Sequence, residues 1–257
     1  MEIGEVITVG VVTPHVARGP EVELPWMAPR SVRVCVSRTV EATCRSSVLS
    51  ESPGSPAALR ALATAAVLDR AVSAFAADED VDVLALGSSS SGYALGYDEE
   101  SAVVDRLEQR SGLPVCATSL STVSALRSHR IRRVSLIHPP WFGVPLHRLG
   151  AEYFADQGFE VVDAQLADLP GDPDRIQPSS IADWVARHLS PDTEAVVLGG
   201  NGFRAVQAIR ALEARTGRLV LAANQVLLWA ALTRVSMSPP SIREFGKLFD
   251  SLRGTGG

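Results

Sequence analysis

The chain has 257 residues, 46% of them apolar and 21% charged, which is material for a sizeable core in one large domain or two smaller lobes. Its formal net charge of -5, with arginines scattered singly or in pairs such as Arg132-Arg133, speaks against a nucleic-acid partner. The opening MEIGEV lacks the basic flank and apolar run of a signal peptide, and the most apolar late stretch, 219–232, is broken by Asn224 and Gln225, so the expectation is a cytoplasmic protein with no membrane role.

In chain order, Val6 to Thr13 reads as a first strand closed by Pro14, and Ser31 to Val40 as a second, with Pro25 and Pro29 marking an irregular connection. Pro56 to Ala77 reads as one helix rich in Ala and Leu. The run Val81 to Leu86 is a third strand, buried on both faces by its continuous apolar character. Gly87 and the hydroxyl run Ser88 to Ser91 follow as a loop, before Gly92 and Tyr93. A helix over Glu99 to Ser111, a strand over Leu113 to Thr118 and a helix over Ser121 to His129 come next. The second half repeats the programme: strand Arg133 to His138, helix Val144 to Gln157, strand Phe159 to Ala164, helix Ile181 to Leu189, strand Ala195 to Leu198. The loop Gly199 to Gly202, a helix Phe203 to Thr216, a strand Arg218 to Ala223 and a helix Gln225 to Arg234 complete it, with one short helix after Pro239-Pro240. Strands alternating with helices of this length imply right-handed βαβ crossovers and parallel sheets. Three cysteines, Cys35, Cys44 and Cys116, have no metal-ligand spacing and form no disulfide framework; Cys35 and Cys116 fall in strands as small hydrophobes, and nothing assigns Cys44 a base.

The two halves match residue by residue. Leu107-Glu108 and Arg110-Ser111-Gly112 recur as Leu212-Glu213 and Arg215-Thr216-Gly217, and Leu86-Gly87-Ser88 answers Gly199-Gly200-Asn201. The expected fold is therefore α/β, with two pseudo-symmetric lobes, each a four-stranded parallel sheet flanked by helices. Residues 1–118 would form one lobe, with 226–257 packing back on it, and 119–225 the other. Ligands of open α/β sheets sit beyond the carboxyl ends of the strands. A ligand gripped between the lobes would meet Thr13, Pro14, His15, Gly87, Ser88, Ser89, Ser90, Tyr93 and Ser119 from one side, and His138, Pro140, Gly200, Asn201, Gly202 and Asn224 from the other. Small residues, hydroxyls and backbone N–H groups suit a carboxylate or phosphate.

These residues resemble a known family, the maleate isomerase and arylmalonate decarboxylase branch of the aspartate/glutamate racemase superfamily. The likeness runs through GVVTP with Glu21 and Glu23-Leu24, Gly87-Ser88-Ser89, Ser111 to Val115, Arg132-Arg133-Val134, His138-Pro139-Pro140, Leu198 to Gly202, Asn224-Gln225 and Phe245 to Asp250. The resemblance implies two facing lobes, no metal or organic cofactor, and chemistry through an enediolate. It also implies a thiol from each lobe, or from the second lobe alone in the decarboxylase. Here those positions are Gly87 and Gly200. The family's early asparagine falls near Ala17 and its tyrosine on Pro140.

An anion cradle of Ser88, Ser89, Asn201 and the Gly200 to Gly202 backbone survives, and His138 is the candidate proton carrier, since histidine titrates near neutrality. His15 stands at the matching edge of the first lobe. Racemisation and isomerisation need a reactive group on each face of the substrate, whereas decarboxylation needs one held carboxylate and one proton. The reading is a cofactor-free, decarboxylase-like lyase acting on a small-molecule carboxylate or carbonyl compound. An isomerase and a non-catalytic small-molecule binder are the alternatives, and self-association into a homo-oligomer is left open.

Overall fold

The structure, a computed structural model, describes residues 6–42, 54–75, 80–237 and 240–254. The strands are β1 (Ile7–Thr13), β2 (Val32–Arg38), β3 (Val83–Leu86), β4 (Val115–Ala117), β5 (Arg133–His138), β6 (Glu160–Leu166), β7 (Ala195–Leu198) and β8 (Leu219–Ala222). The helices are α1 (Pro20–Met27), α2 (Thr39–Ala42), α3 (Pro56–Leu62), α4 (Ala65–Ser73), α5 (Ser89–Leu95), α6 (Tyr97–Ser111), α7 (Thr118–Ser128), α8 (Val144–Asp156), α9 (Pro178–His188), α10 (Ile209–Thr216) and α11 (Ala223–Arg234). Every strand pairing is parallel, and the two sheets have the same topology, β2-β1-β3-β4 and β6-β5-β7-β8. The α/β fold of two matched four-stranded sheets is the one the sequence leads one to expect.

Because each sheet is covered on both faces, β1, β3, β7 and β8 are largely apolar runs, whereas the edge strands β2 and β6 carry charged residues. Along β1, Val9 and Val11 enter the core shared with α11, while Val12 turns the other way to join Leu68 of α4 and Leu107 of α6. The lobes also exchange helices. Val123 and Leu126 of α7, which follows β4, share a core with Val134, Leu136, Val197 and Leu221 of the second sheet. In return α11, which follows β8, packs on β3 and β4. These two helices lie against each other, so the strand ends of both lobes are drawn to one junction.

The repeat extends to hydrogen bonds. Ser111 Oγ and Thr216 Oγ1 each donate to the carbonyl four residues back, at 2.7 Å in both cases, and accept from Leu113 N and Arg218 N, at 3.2 Å in both. Gly112 and Gly217 close α6 and α10 in the left-handed region, both at φ 71°, where glycine carries no Cβ strain.

Four local expectations are corrected. The connection after β1 holds α1, with Pro20 at its first position; Pro25 removes only one N–H from a two-turn helix. The helix from Pro56 divides into α3 and α4 at Ala63-Thr64, where Thr64 is extended, and its last residues, 76 and 77, lie outside the described residues. In place of the expected helix start, 3-10 turns over Asn201–Phe203 and Val206–Ala208 precede α10, with Arg204 left-handed at φ 49° between them. The tail forms two 3-10 segments, Pro240–Phe245 and Lys247–Gly254, instead of one helix. Among the described residues, no helix is long and apolar enough to cross a membrane.

Candidate active site

The hydroxyl run after β3 is a helix start and not a loop. Ser88 is extended, at φ -156° and ψ 97°, and its Oγ accepts from Ser91 N at 3.1 Å, the side-chain cap that serine provides. The remaining hydroxyls of the run are then free to pair with each other and with His15. Ser88 Oγ lies 2.8 Å from Ser91 Oγ and 3.1 Å from Ser90 Oγ, and His15 Nε2 lies 2.9 Å from Ser90 Oγ and 3.2 Å from Ser88 Oγ. His15 is half-buried just beyond β1, where its N–H donates to Thr13 Oγ1 and its carbonyl accepts from Arg38 Nε. Burial pushes its imidazole down to about 4, so it is neutral at physiological pH.

A second cluster crosses between the lobes. Ser89 N donates to Asn201 Oδ1 at 3.0 Å, and Gly200 N donates to Ser89 Oγ at 2.8 Å. Asn201 Nδ2 donates to Thr118 Oγ1 at 3.1 Å and to Asn224 Oδ1 at 2.9 Å. Asn224 Nδ2 in turn reaches Glu23 Oε2 at 2.7 Å and Asn201 O at 2.8 Å. Ser119 Oγ donates to Ser89 O at 3.2 Å. Ser88, Ser89, Asn201 and Asn224, named from the repeat, therefore converge on one junction. Several of their donors are already satisfied there by the protein's own acceptors, with the Asn201 carboxamide oxygen standing where an anion's oxygen would accept from Ser89 N.

His138 has a different setting from the one expected. The last residue of β5, it follows Val134 and Leu136 onto the face covered by α8, because side chains alternate along a strand. It is wholly buried, stacked on Phe142 with ring centroids 5.2 Å apart and tilted against Tyr93 at 5.4 Å. Its Nδ1 meets His147 Nδ1 at 2.9 Å and its Nε2 has no partner. Burial, then the neighbouring His147, press it down to about 3, so it is neutral and cannot act as a stored acid. Tyr93, predicted as a ligand contact, serves as the aromatic bridge between α5 and this pocket, its phenol held well above the usual range by burial and by Glu100.

Gly87 and Gly200, where the resemblance led one to expect thiols, are packed too closely to take a side chain without a shift. A Cβ on Gly87 would lie 2.9 Å from Val11 Cγ1, and one on Gly200 would lie 2.9 Å from Pro139 Cγ at a φ of 86°. Gly202 and Pro140 make no polar contact in the cluster; a Cβ on Gly202 would touch Ala17 and Trp141 at van der Waals distance. Cys35 is half-buried on β2, Cys116 is buried with its thiol pushed up to about 12, and Cys44 lies outside the described residues.

Sequence reasoning passed over two buried acids. Glu23, on α1, is raised to about 7 by burial against the hydrogen bonds from Asn224 and Val206 N and the charge of Arg204. Glu100, on α6, is raised to about 8 by burial, opposed by bonds from Tyr153 Oη at 2.6 Å and Ser119 N. The signal for Glu100 was its helical spacing: it shares the buried face of Val104 and Leu107, at i, i+4 and i+7.

The comparisons with known proteins agree with this geometry. Maleate isomerase of Pseudomonas putida is 26% identical over 170 residues, which cover 63% of this chain and 67% of that protein. A crystal structure of arylmalonate decarboxylase superposes with a TM-score of 0.75 at 19% identity, covering 95% of this chain and 99% of the other. The maleate cis-trans isomerase of Nocardia farcinica bound to TRIS gives 0.75 at 22% identity, covering 96% and 99%. The sequence profile described as arylmalonate decarboxylase matches residues 57–249, three quarters of the chain, and with that match the chain belongs to the arylmalonate decarboxylase family.

Proposed function

We propose that this chain is a cofactor-independent enzyme that removes carbon dioxide from a small dicarboxylic acid through an enediolate. The observation that carries the reading is an asymmetry at the junction. The first lobe presents a half-buried imidazole, His15, bonded to Ser88 and Ser90, whereas the second lobe's imidazole, His138, is sealed in a core. Glycine stands at both thiol positions. Proton handling from one side suits a decarboxylation, in which a single proton is delivered after carbon dioxide leaves, better than racemisation or cis-trans isomerisation, which need groups on two faces.

In this reading one substrate carboxylate displaces the Asn201 carboxamide oxygen from Ser89 N and takes further hydrogen bonds from the Ser88 and Ser89 hydroxyls and Gly200 N. Each well-aimed donor is worth about 3 kcal/mol as charge grows on the enediolate. His15, neutral at rest, then gives its ring N–H proton to the carbon while Nε2 takes another from the Ser88 and Ser90 hydroxyls, a supply His138 lacks at its unpartnered Nε2, and His138 holds the α5–α8 contact. The second reading, an isomerase, draws on the maleate isomerase relatives.

The test is incubation of the full chain with an arylmalonate and, separately, with maleate in deuterated water, followed by NMR. Loss of carbon dioxide from the arylmalonate with one solvent deuteron at the product's α carbon supports the decarboxylase. Conversion of maleate to fumarate without loss of carbon supports the isomerase instead. Ligand-induced thermal stabilisation with both compounds recovered unchanged and unlabelled would leave a binder.

A further inference from the structure

A small cavity of about 30 Å³ lies among β1, α3, α4, α5 and α6. Leucine and valine side chains, with Pro14 and Ala63, make its apolar wall, and Thr13, Thr39, Ser88, Ser91 and Glu100 also open onto it. Thr39 Oγ1 is buried there without a hydrogen-bond partner, at 1% exposure. A hydroxyl left unpaired in a core costs free energy, and a space holding about one or two water molecules with two to four polar neighbours is hydrated as a rule. Glu100 is part of the cavity wall, and its carboxyl packs directly over Gly92, where a Cβ would lie 2.5 Å from Glu100 Oε1 and 2.4 Å from Ser119 Oγ. From the cavity an unbroken file of hydroxyls leads out, Ser91 Oγ to Ser88 Oγ at 2.8 Å, Ser88 Oγ to Ser90 Oγ at 3.1 Å, and both Ser88 and Ser90 to His15 Nε2.

We propose that Glu100 is an internal proton store for His15, joined to it by water in this cavity and by the hydroxyls of Ser91 and Ser88. The use of the stored proton rests on the decarboxylase reading; the store and its connection do not. As the ring N–H of His15 gives its proton to the substrate carbon, His15 Nε2 takes one from the hydroxyl file, each oxygen along the file passes one proton on and accepts one, and the Glu100 carboxyl supplies the last through the cavity water, so that the imidazole ends neutral. No electrons change hands. Glu100 ends as a carboxylate held by Tyr153 Oη and Ser119 N, and regains its proton along the same file from solvent at half-buried His15.

The titratable groups that face Glu100 are Tyr93 from α5 and Tyr153 from α8, both held above the usual phenol range by burial and by Glu100 itself, so both are neutral. His15, at the other end, meets Arg38 only through its backbone carbonyl, and Arg38 is paired with Glu21. The four-serine run thereby gains a reason beyond capping, since a cap needs only Ser88.

Infrared spectroscopy of the resting protein tests this without a substrate. The wild type should show the carbonyl band of protonated carboxyls at neutral pH in two components, one from Glu23 fading as pH rises through about 7 and one from Glu100 fading through about 8, and Glu100→Gln should lack only the second. Ser91→Ala should keep the second component but slow its deuterium exchange several-fold. A Glu100 that is ionised at neutral pH, or exchange unchanged in Ser91→Ala, overturns the proposal, and the second arm serves even if Glu100→Gln does not fold. If band and exchange behave as expected while neither an arylmalonate nor maleate is turned over, the functional reading fails and the relay stands.

Discussion

The loops after β3 and β7 descend from one repeated pattern yet build opposite surfaces. After β3, Ser88 caps a helix and leaves a row of hydroxyls facing His15. After β7, Gly200 at φ 86° and Arg204 at φ 49° hold 3-10 turns that no helix could continue, and they aim the Asn201 side chain across the junction. One lobe presents a row of hydroxyls joined to an imidazole; the other presents a wedge whose amide is fixed by Thr118, Asn224 and, through Asn224, Glu23. The two histidines repeat the contrast, His15 half-buried among hydroxyls and His138 wholly buried among rings. A duplicated scaffold thus fixes where strand ends meet, while a handful of loop residues decides what each end does.

The sharpest structural break of this contrast is Asn201→Ala. It strips partners from Ser89 N, Thr118 Oγ1 and Asn224 Oδ1, all buried, so chemical denaturation should show a loss of about 3 kcal/mol, from buried polar groups left unpaired at about 1–3 kcal/mol each. Loss under 0.5 kcal/mol, the rough size of a neutral surface change, would mean the wedge is dispensable. Restoring a thiol to the second lobe should also fail: Gly200→Cys meets Pro139 and a left-handed backbone, costing about 1–3 kcal/mol, and should confer no maleate isomerisation. On the first lobe, Gly92→Ala forces Glu100 and Ser119 apart at a cost of about 1–3 kcal/mol, visible as a lower midpoint of thermal unfolding.

The smallest effect is on the pH profile of stability. Glu100 and Glu23 have folded values, about 8 and about 7, above the ordinary carboxylate value of 4.5; their contribution is complete below 4.5 and is lost as pH rises through those values. His15 and His138 have folded values, about 4 and about 3, below 6.5; theirs is complete above 6.5 and is lost as pH falls through those values. The four slopes offset one another between about 4.5 and 6.5, so stability should be flat there and fall on both sides. Glu100→Gln should shrink the alkaline fall to the part due to Glu23 and tilt the window between about 4.5 and 6.5 so that stability there rises with pH, which thermal unfolding across pH would read.

Most of the architecture was legible because buried parallel strands are apolar runs and the repeat fixes their order. The bounds of β5 and β7 are the expected ones. The junction was legible too, since residues that follow strand ends in a repeated fold must meet. What sequence could not give was direction. Whether His138 faces a cleft or a core depends on the parity of β5, and the four serines read equally as turn or cap until Ser88 is seen to be extended. Glu100 was hidden beside Glu99: only the alignment with Val104 and Leu107 separates the buried acid from its exposed neighbour. The double role of Asn201, anchored at Nδ2 and offering Oδ1, follows from partners far away in sequence.

The central claim is that the first lobe alone handles the proton, and a paired comparison of His15→Asn and His138→Asn tests it most directly. Turnover of an arylmalonate would be measured by carbon dioxide release, with ligand binding and folding checked for each variant. His15→Asn should bind nearly as well as the parent and lose about 10²–10⁴-fold in rate, the usual cost of removing a general acid, while His138→Asn should retain turnover within a few-fold. The reverse pattern, with His15→Asn active and His138→Asn folded but inert, would contradict the account and return the proton to the second lobe.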